Sequence, residues 1–269
     1  MIYLFGSTGM LGNYVRIVLS KKFEVKCITR NDYDILKDDW NKLNTLLTNI
    51  NKNDVIVNCA GIIPQKINSD EFKNYIKLNT LFPHKLSHIS EKYSAKLIHI
   101  TTDCVFDGKI GNYYENNIHN SNDIYGITKS LGEPENCCVI RTSIIGHETK
   151  GKRNLLEWVL SNKNKTIYGY TNHFWNGLTC LTLTNTINKI IEKNLFWKGV
   201  KHIFSPNIVN KYELCCIINN IYNLNINIEK KIDSNCINRI LKSDYEIDFD
   251  ICDIQTQLLK QYEFYLKYE

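Results

Sequence analysis

Tyr125 and Lys129 stand four residues apart in "DIYGITKSLGE". On a helix that spacing puts both side chains on one face. A phenol with its ordinary pKa of about 10 relays protons poorly at neutral pH. A neighbouring ammonium favours the phenolate and lowers that value. Such a pair can deliver a proton while the lysine also holds a ribose, although the same spacing occurs in exposed helix pairs with no chemistry. A second stretch, "KLIHITTDCVFDG", ends an apolar run in Thr101, Thr102, Asp103 and Cys104. Polar groups where a buried strand emerges are either a helix cap or chemistry.

Gly6, Gly9 and Gly12 form G-x-x-G-x-x-G between an apolar run, "MIYLF", and a helical pattern. In that setting glycines let the backbone approach a pyrophosphate, which the free N–H groups of the helix start can hold. The alternative is a tight turn without a ligand. About 20 residues on, where an NAD site often has an acid for the ribose hydroxyls, the sequence has Arg30. A guanidinium pairs with a 2′-phosphate, so NADPH is expected over NADH; otherwise Arg30 is a solvated loop residue. Asp34 and Ile35 are placed at the adenine. Asn58, Cys59, Ala60 and Gly61 offer small residues where backbone passes close to the cofactor.

The elements that must position these residues alternate. Strands are expected at "MIYLF", "FEVKCIT", "DVIVN", "KLIHI" and "CVIRTS". Helices are expected between them at Met10–Lys21, around Trp40–Leu47, at Ser69–Tyr93 with a break at Pro83, and at Asp123–Glu133. Strand alternating with helix implies a parallel sheet covered on both faces. The fold class is therefore α/β, a doubly wound parallel Rossmann sheet with a smaller C-terminal substrate lobe. Residues 1–145 are assigned to the dinucleotide-binding core, and residues 146–269 to a lobe interleaved with the last core strands. In the lobe, helices are expected near Asn154–Ser161, Thr182–Lys193 and Lys211–Tyr222, the last capped by Asn210, with strands at "TIYGY" and "KHIFS".

Composition sets bounds. The chain of 269 residues is 43% hydrophobic and 23% charged, ordinary for a globular protein. A net charge of +5, spread along the chain, suits an anionic small molecule and is too weak for nucleic acid. No apolar run reaches the roughly 18 residues of a membrane span. Ten cysteines without a C-x-x-C pair argue for free thiols in a reducing, cytoplasmic setting, not for zinc or disulfides. His147 and His173 stand apart from other ligand types, so no metal site is expected.

The set "GSTGMLG", "NCAG", "TTD" and "YGITK" resembles an extended short-chain dehydrogenase/reductase. More narrowly, "TTDCVFDGKIGNYYENN…IYGITKSLGE…VIRTSIIG" is similar to dTDP-4-dehydrorhamnose reductase and related 4-keto-6-deoxy nucleotide-sugar reductases. The resemblance covers Met1 to Gly146 and continues more faintly through "KYELCCII" and "INRILKS". It implies hydride transfer from NADPH to a C4 ketone, with Thr102 polarising the carbonyl, Tyr125 donating the proton and Lys129 tuning it. It places Thr8, Gly9, Met10, Leu11 and Thr101 against the cofactor, and gives Asn79 a supporting role. For the substrate it points to Thr102, Asp103 and Cys104.

Where dehydratases of this superfamily have Asp-Glu, this chain has Asp103-Cys104. "DCVF" resembles the cysteine segment of GDP-fucose synthase and of bifunctional epimerase/reductases, which implies C3 epimerisation by Cys104; the partner histidine of the fucose synthase has no match in "KGKRN", where Lys152 is the candidate instead. The alternative is that Cys104 packs as a small apolar residue. Lys152 and Arg153 are also candidates for the nucleotide diphosphate. Trp175 and Asn172, with Asn176, are candidates for the sugar or base, or else belong to a surface loop. The resemblance favours a UDP-sugar, with a 2-acetamido group open, and a homodimer is a candidate assembly. Competing readings are a non-catalytic NADP-binding regulatory subunit, as in methionine adenosyltransferase, and an epimerase without net reduction.

Overall fold

A computed structural model describes residues 1–63, 69–149, 153–246 and 249–268. The run "IYLF" has no polar residue to face water and forms β1 (Ile2–Phe5), buried along its whole length. There follow α1 (Met10–Leu19), β2 (Val25–Ile28), α2 (Trp40–Leu46), β3 (Val55–Asn58), α3 (Ser69–Tyr75), α4 (Phe82–Lys92), β4 (Lys96–Thr102), α5 (Ile124–Ser130) and β5 (Cys138–Thr142). Beyond them lie β6 (Ile144–Ile145), α6 (Leu155–Leu160), β7 (Thr166–Tyr170), β8 (His173–Trp175), β9 (Leu178–Thr179), α7 (Cys180–Glu192) and β10 (Gly199–His202). The last elements are β11 (Val209–Asn210), α8 (Lys211–Tyr222), β12 (Asn227–Lys231), β13 (Ile237–Asn238) and α9 (Ile254–Tyr268).

Six strands pair in parallel in the order β10-β5-β4-β3-β1-β2. Parallel neighbours need crossovers, and the helices that supply them cover the sheet. One apolar layer joins Leu11, Val15 and Leu19 of α1 to Leu183, Ile187 and Ile190 of α7. The other joins Leu43 of α2 to Phe82, Leu86 and Ile89 of α4. This is the doubly wound α/β sheet expected from the alternation of elements. Strand order reverses between β1 and β3, so a crevice opens at their carboxyl ends, where ligands of such sheets bind.

The stretch Ser69–Tyr93 differs in detail from a single bent helix. It divides into α3, a π-helical segment at Ile76–Leu81, and α4. Pro83, at the start of α4, has no N–H to give to the Asn79 carbonyl four residues back. That carbonyl faces Gly132 instead, so closely that a Cβ there would lie 1.8 Å from it. Beyond Gly146 a separate apolar cluster gathers Leu156, Val159, Ile167, Val209 and Leu214, while α7 and β10 return to the main sheet. Asn210 caps α8 in a capping box with Glu213. All ten cysteines are free thiols, and no described helix is long and apolar enough to cross a membrane.

Candidate active site

A cavity of about 470 Å³ opens at the carboxyl ends of the strands. Its walls come from the turn Thr8–Leu11, the end of β3 (Cys59–Gly61), the end of β4 (Ile100–Cys104) and α5 (Tyr125, Lys129). A smaller cavity of about 180 Å³ continues along β1 and β2. It shares Thr8, Gly9 and Cys59–Gly61 with the first and adds Gly6, Arg30, Asp34 and Ile35. Gly6 has φ +78°, and a Cβ there would meet the Ala60 nitrogen at 2.7 Å. Only a glycine lets β1 turn this tightly against the end of β3.

The start of α5 is fixed twice. Asp123 caps it by accepting the Gly126 N–H at 2.8 Å. Gly126 rests on the end of β4, where a Cβ would lie 2.3 Å from the Cys104 carbonyl. Tyr125 is thereby held at the cavity with Thr102 and Cys104. Lys129 is buried and donates from Nζ to the Ile100 carbonyl at 2.9 Å. Burial lowers its pKa to about 8 against the pull of Glu133 and Cys59.

Tyr125 behaves differently from the expectation drawn from its spacing. Burial, followed by the charges of Cys104 and Asp103, raises its pKa, and the Thr102 hydroxyl only partly offsets this. Desolvation outweighs any help from Lys129, whose ammonium is turned to the Ile100 carbonyl. The phenol therefore stays protonated and is suited to donate.

At the end of β4, the polar groups form a cap at the cavity wall. The Thr102 hydroxyl accepts the Cys104 N–H at 3.2 Å and donates to Asp103 at 3.2 Å, opening a 3-10 turn at Asp103–Val105. The Cys104 thiol donates to Asp103 Oδ1 at 3.6 Å. Burial, then the Asp103 carboxylate, pushes the thiol up to about 12. Burial also raises Asp103, while Arg239 and Lys211 pull it down. Lys211 opens α8, with its ammonium 5.8 Å from the Trp175 ring, and burial lowers its pKa. Arg239 donates to the Phe106 carbonyl at 2.9 Å. Sequence reasoning missed both cations; the available signals were the faint resemblance at "KYELCCII" and "INRILKS", which contain Lys211 and Arg239, and the position of Lys211 directly after the cap Asn210.

Other expected residues fall outside the wall. Both ends of the Asn172 amide are taken by the Asp233 backbone, at 2.8 and 3.0 Å, and Asn172 does not line the cleft. Trp175 is buried behind Ser143, to whose hydroxyl it donates at 2.8 Å. Asn176 holds Leu241 through both backbone groups. Arg153 is exposed and binds Glu148 through its backbone N–H. Lys152 lies outside the described residues. Asn79 accepts the Ile62 N–H at 2.9 Å and donates to the Ile62 carbonyl, steadying the chain after β3. His147 and His173 bond protein groups, and no metal-type cluster occurs among the described residues.

The cleft fits a dinucleotide. Gly9 caps α1 without a side-chain acceptor, leaving first-turn N–H groups for an anion. Thr101 Oγ1 is buried at the cleft without a hydrogen-bond partner among the described residues. Arg30 is exposed at the edge of the smaller cavity.

A family model described as RmlD substrate binding domain matches residues 1–234. A dTDP-4-dehydrorhamnose reductase from Clostridium acetobutylicum superposes with a TM-score of 0.83 at 19% identity, over 98% of this chain and 99% of its own. Another, from Bacillus anthracis in complex with NADP, gives 0.83 at 18% identity over 98% of each chain. At such identities the likeness is one of fold. Among curated proteins, methionine adenosyltransferase 2 subunit beta from Xenopus laevis is 26% identical over 187 residues, 63% of this chain. The Danio rerio protein is 25% identical over 253 residues, 81% of this chain. The chain spans 55% of the length of the first and 73% of the second.

Proposed function

We propose, because this chain belongs to the RmlD substrate binding domain family, that it reduces the C4 ketone of a nucleotide-linked 4-keto-6-deoxyhexose with NADPH. The observation that carries this reading is the meeting of Thr102, Tyr125 and Lys129 in one cavity with the glycine turn. The dinucleotide, when bound, supplies the hydride. The backbone at Gly9, Met10 and Leu11 holds its pyrophosphate, and Lys129 a ribose. Arg30 takes the 2′-phosphate, while Asp34 and Ile35 border the adenine. Thr102 hydrogen-bonds the ketone oxygen, and Tyr125 gives its proton to the forming alkoxide. A UDP-linked sugar is the favoured substrate.

The test is a panel of 4-keto-6-deoxy nucleotide sugars with NADPH, with products read by NMR. Net NADPH oxidation with a new C4 alcohol is expected. Arg30→Ala should weaken NADPH about tenfold relative to NADH, roughly 1.4 kcal/mol. An unchanged ratio removes Arg30 from the phosphate site. Tight NADPH binding without turnover across the panel would instead favour a binding subunit, the reading supported by the likeness to methionine adenosyltransferase 2 subunit beta.

A finer step concerns Cys104. With the thiol held protonated, it acts as the acid of a C3 epimerisation, with Lys152 as its basic partner. Lys152 removes the C3 proton and the electron pair moves onto the C4 oxygen. Cys104 then returns a proton to C3 from the other side, and both groups re-equilibrate with water. Deuterium entering C3 from solvent at the wild-type rate in both Cys104→Ser and Lys152→Met would exclude this step while leaving the reductase intact.

A further inference from the structure

Part of the wall of the smaller cavity is neither strand nor helix. Asp34, Ile35 and Leu36 form it, in the segment that runs from β2 to α2. That segment shapes itself through local bonds. The Asp34 N–H donates to Asp38 Oδ2 at 2.8 Å, and the Leu36 N–H to Asp34 Oδ1 at 3.0 Å. Local bonds of this kind fix a turn. They do not fix where the turn lies against the rest of the protein.

Lys77 supplies that second constraint. From the π-helical segment Ile76–Leu81, its Nζ donates to the Leu36 carbonyl at 2.9 Å and to the Asp38 carbonyl at 3.0 Å. An ammonium has three donors and no acceptor, so one side chain can bridge two carbonyls. The two bonds join residues 41 and 39 positions apart in the chain. Among the described residues, they are the hydrogen bonds that tie residues 34–38 to an element beyond α2. The same Nζ lies 5.6 Å from the ring of Trp40, which opens α2. Lys77 does not line the smaller cavity, but its neighbour Leu78 does.

We propose that Lys77 is a positioning residue for the adenine half of the dinucleotide. It sets the wall formed by Asp34, Ile35 and Leu36 without touching the cofactor. This rests on the reading given above, in which the adenine lies against Asp34 and Ile35. A wall that must be ordered as the ligand arrives costs affinity, and a wall already in place does not. Other residues of the π-helical segment brace other parts of the cleft. Asn79 holds the chain after β3 through Ile62, and Thr80 Oγ1 donates to the Thr128 carbonyl of α5 at 2.7 Å. Loss of the Lys77 bonds should therefore loosen one end of the cleft and leave the other in place.

The probe is adenosine 2′,5′-bisphosphate, the adenine half alone, titrated calorimetrically on the full chain. Lys77→Met should weaken it about tenfold. Lys77→Arg, which keeps a charged fork of donors, should restore most of the affinity. Thr80→Val, which cuts the bond to α5, should bind the probe as the wild type does. Should Lys77→Met fold poorly, Lys77→Gln, whose shorter arm cannot bridge both carbonyls, provides the same comparison. Equal affinity in the wild type and a folded Lys77 variant would overturn the proposal. So would an equal loss in Thr80→Val, or no recovery in Lys77→Arg, since either would mark a general loosening of the fold. A wild-type chain that does not bind the probe would overturn the dinucleotide reading, and the proposal with it. The readout needs no turnover, so the two failures are distinguishable.

Discussion

In the proposed reduction, Tyr125 and Lys129 divide the work of one proton between them. Burial raises the phenol and lowers the ammonium, so the donor stays loaded while its neighbour titrates near the working range. Tyr125→Phe should therefore cost about 10²–10⁴-fold in turnover, the span of general acid catalysis, with NADPH affinity retained in fluorescence titration. Full turnover would remove the phenol from the mechanism. The pH dependence follows by sign. Reduction needs Tyr125 protonated and Lys129 charged. Tyr125 loses its proton only above the ordinary phenol range, so the first group lost on raising the pH is Lys129. The profile of kcat/KM, which reports the free enzyme, should fall as pH rises through about 8. Glu133 raises Lys129, so Glu133→Gln should move that limb to lower pH. A limb at the ordinary lysine value of about 10.4 would contradict the burial argument.

At the scale of elements, the site depends on how closely α5 lies against the end of β4. Gly126→Ala would put a methyl 2.1 Å from Ser121 Oγ and 2.3 Å from the Cys104 carbonyl. The start of α5 must then lift away, carrying Tyr125 with it. Loss of turnover should exceed loss of stability, the latter roughly 1–3 kcal/mol for overpacking, when kinetics and urea melts are compared. Equal effects would mean that α5 unfolds instead of shifting. This dependence was partly legible in the sequence. Buried parallel strands read as continuous apolar runs, and the glycine turn and the Tyr125–Lys129 spacing are local, so β1 to β5 and their polar ends could be read directly. The π-helical segment was not legible beyond the break at Pro83, because its geometry answers to Gly132, far along the chain. Lys211 and Arg239 were missed because their approach to Asp103 is set by how the lobe packs, which no spacing encodes. The Asn172 bonds were not legible because a polar residue in a loop looks the same whether it meets a ligand or, as here, the Asp233 backbone.

Across the whole molecule, a buried polar network joins the sheet to the C-terminal segment. Arg141 of β5, almost fully buried, donates to both Glu133 oxygens and, through Nη1, to the Glu115 carbonyl at 3.3 Å. Its Nη1 also lies 2.8 Å from His202 Nε2 on β10. Burial, then Arg141, lowers His202 to about 4. The imidazole is thus neutral, accepting from Arg141 at Nε2 and donating from Nδ1 to the Lys242 carbonyl at 2.6 Å. The Glu115 carboxylate takes the His202 N–H, the Ser243 hydroxyl and the Asp244 N–H. Arg141→Met should cost up to about 3–5 kcal/mol in urea denaturation, because it leaves Glu133 buried with only the His119 imidazole, 3.8 Å away, to face it. Adding Glu133→Gln removes that orphaned charge and should recover part of the loss. The single variant also frees Glu133 to act on Lys129 four residues away, so the alkaline limb should move up where Glu133→Gln moves it down. A stability loss with no shift of the limb would mean that the network only holds the lobe in place and has no hold on Lys129.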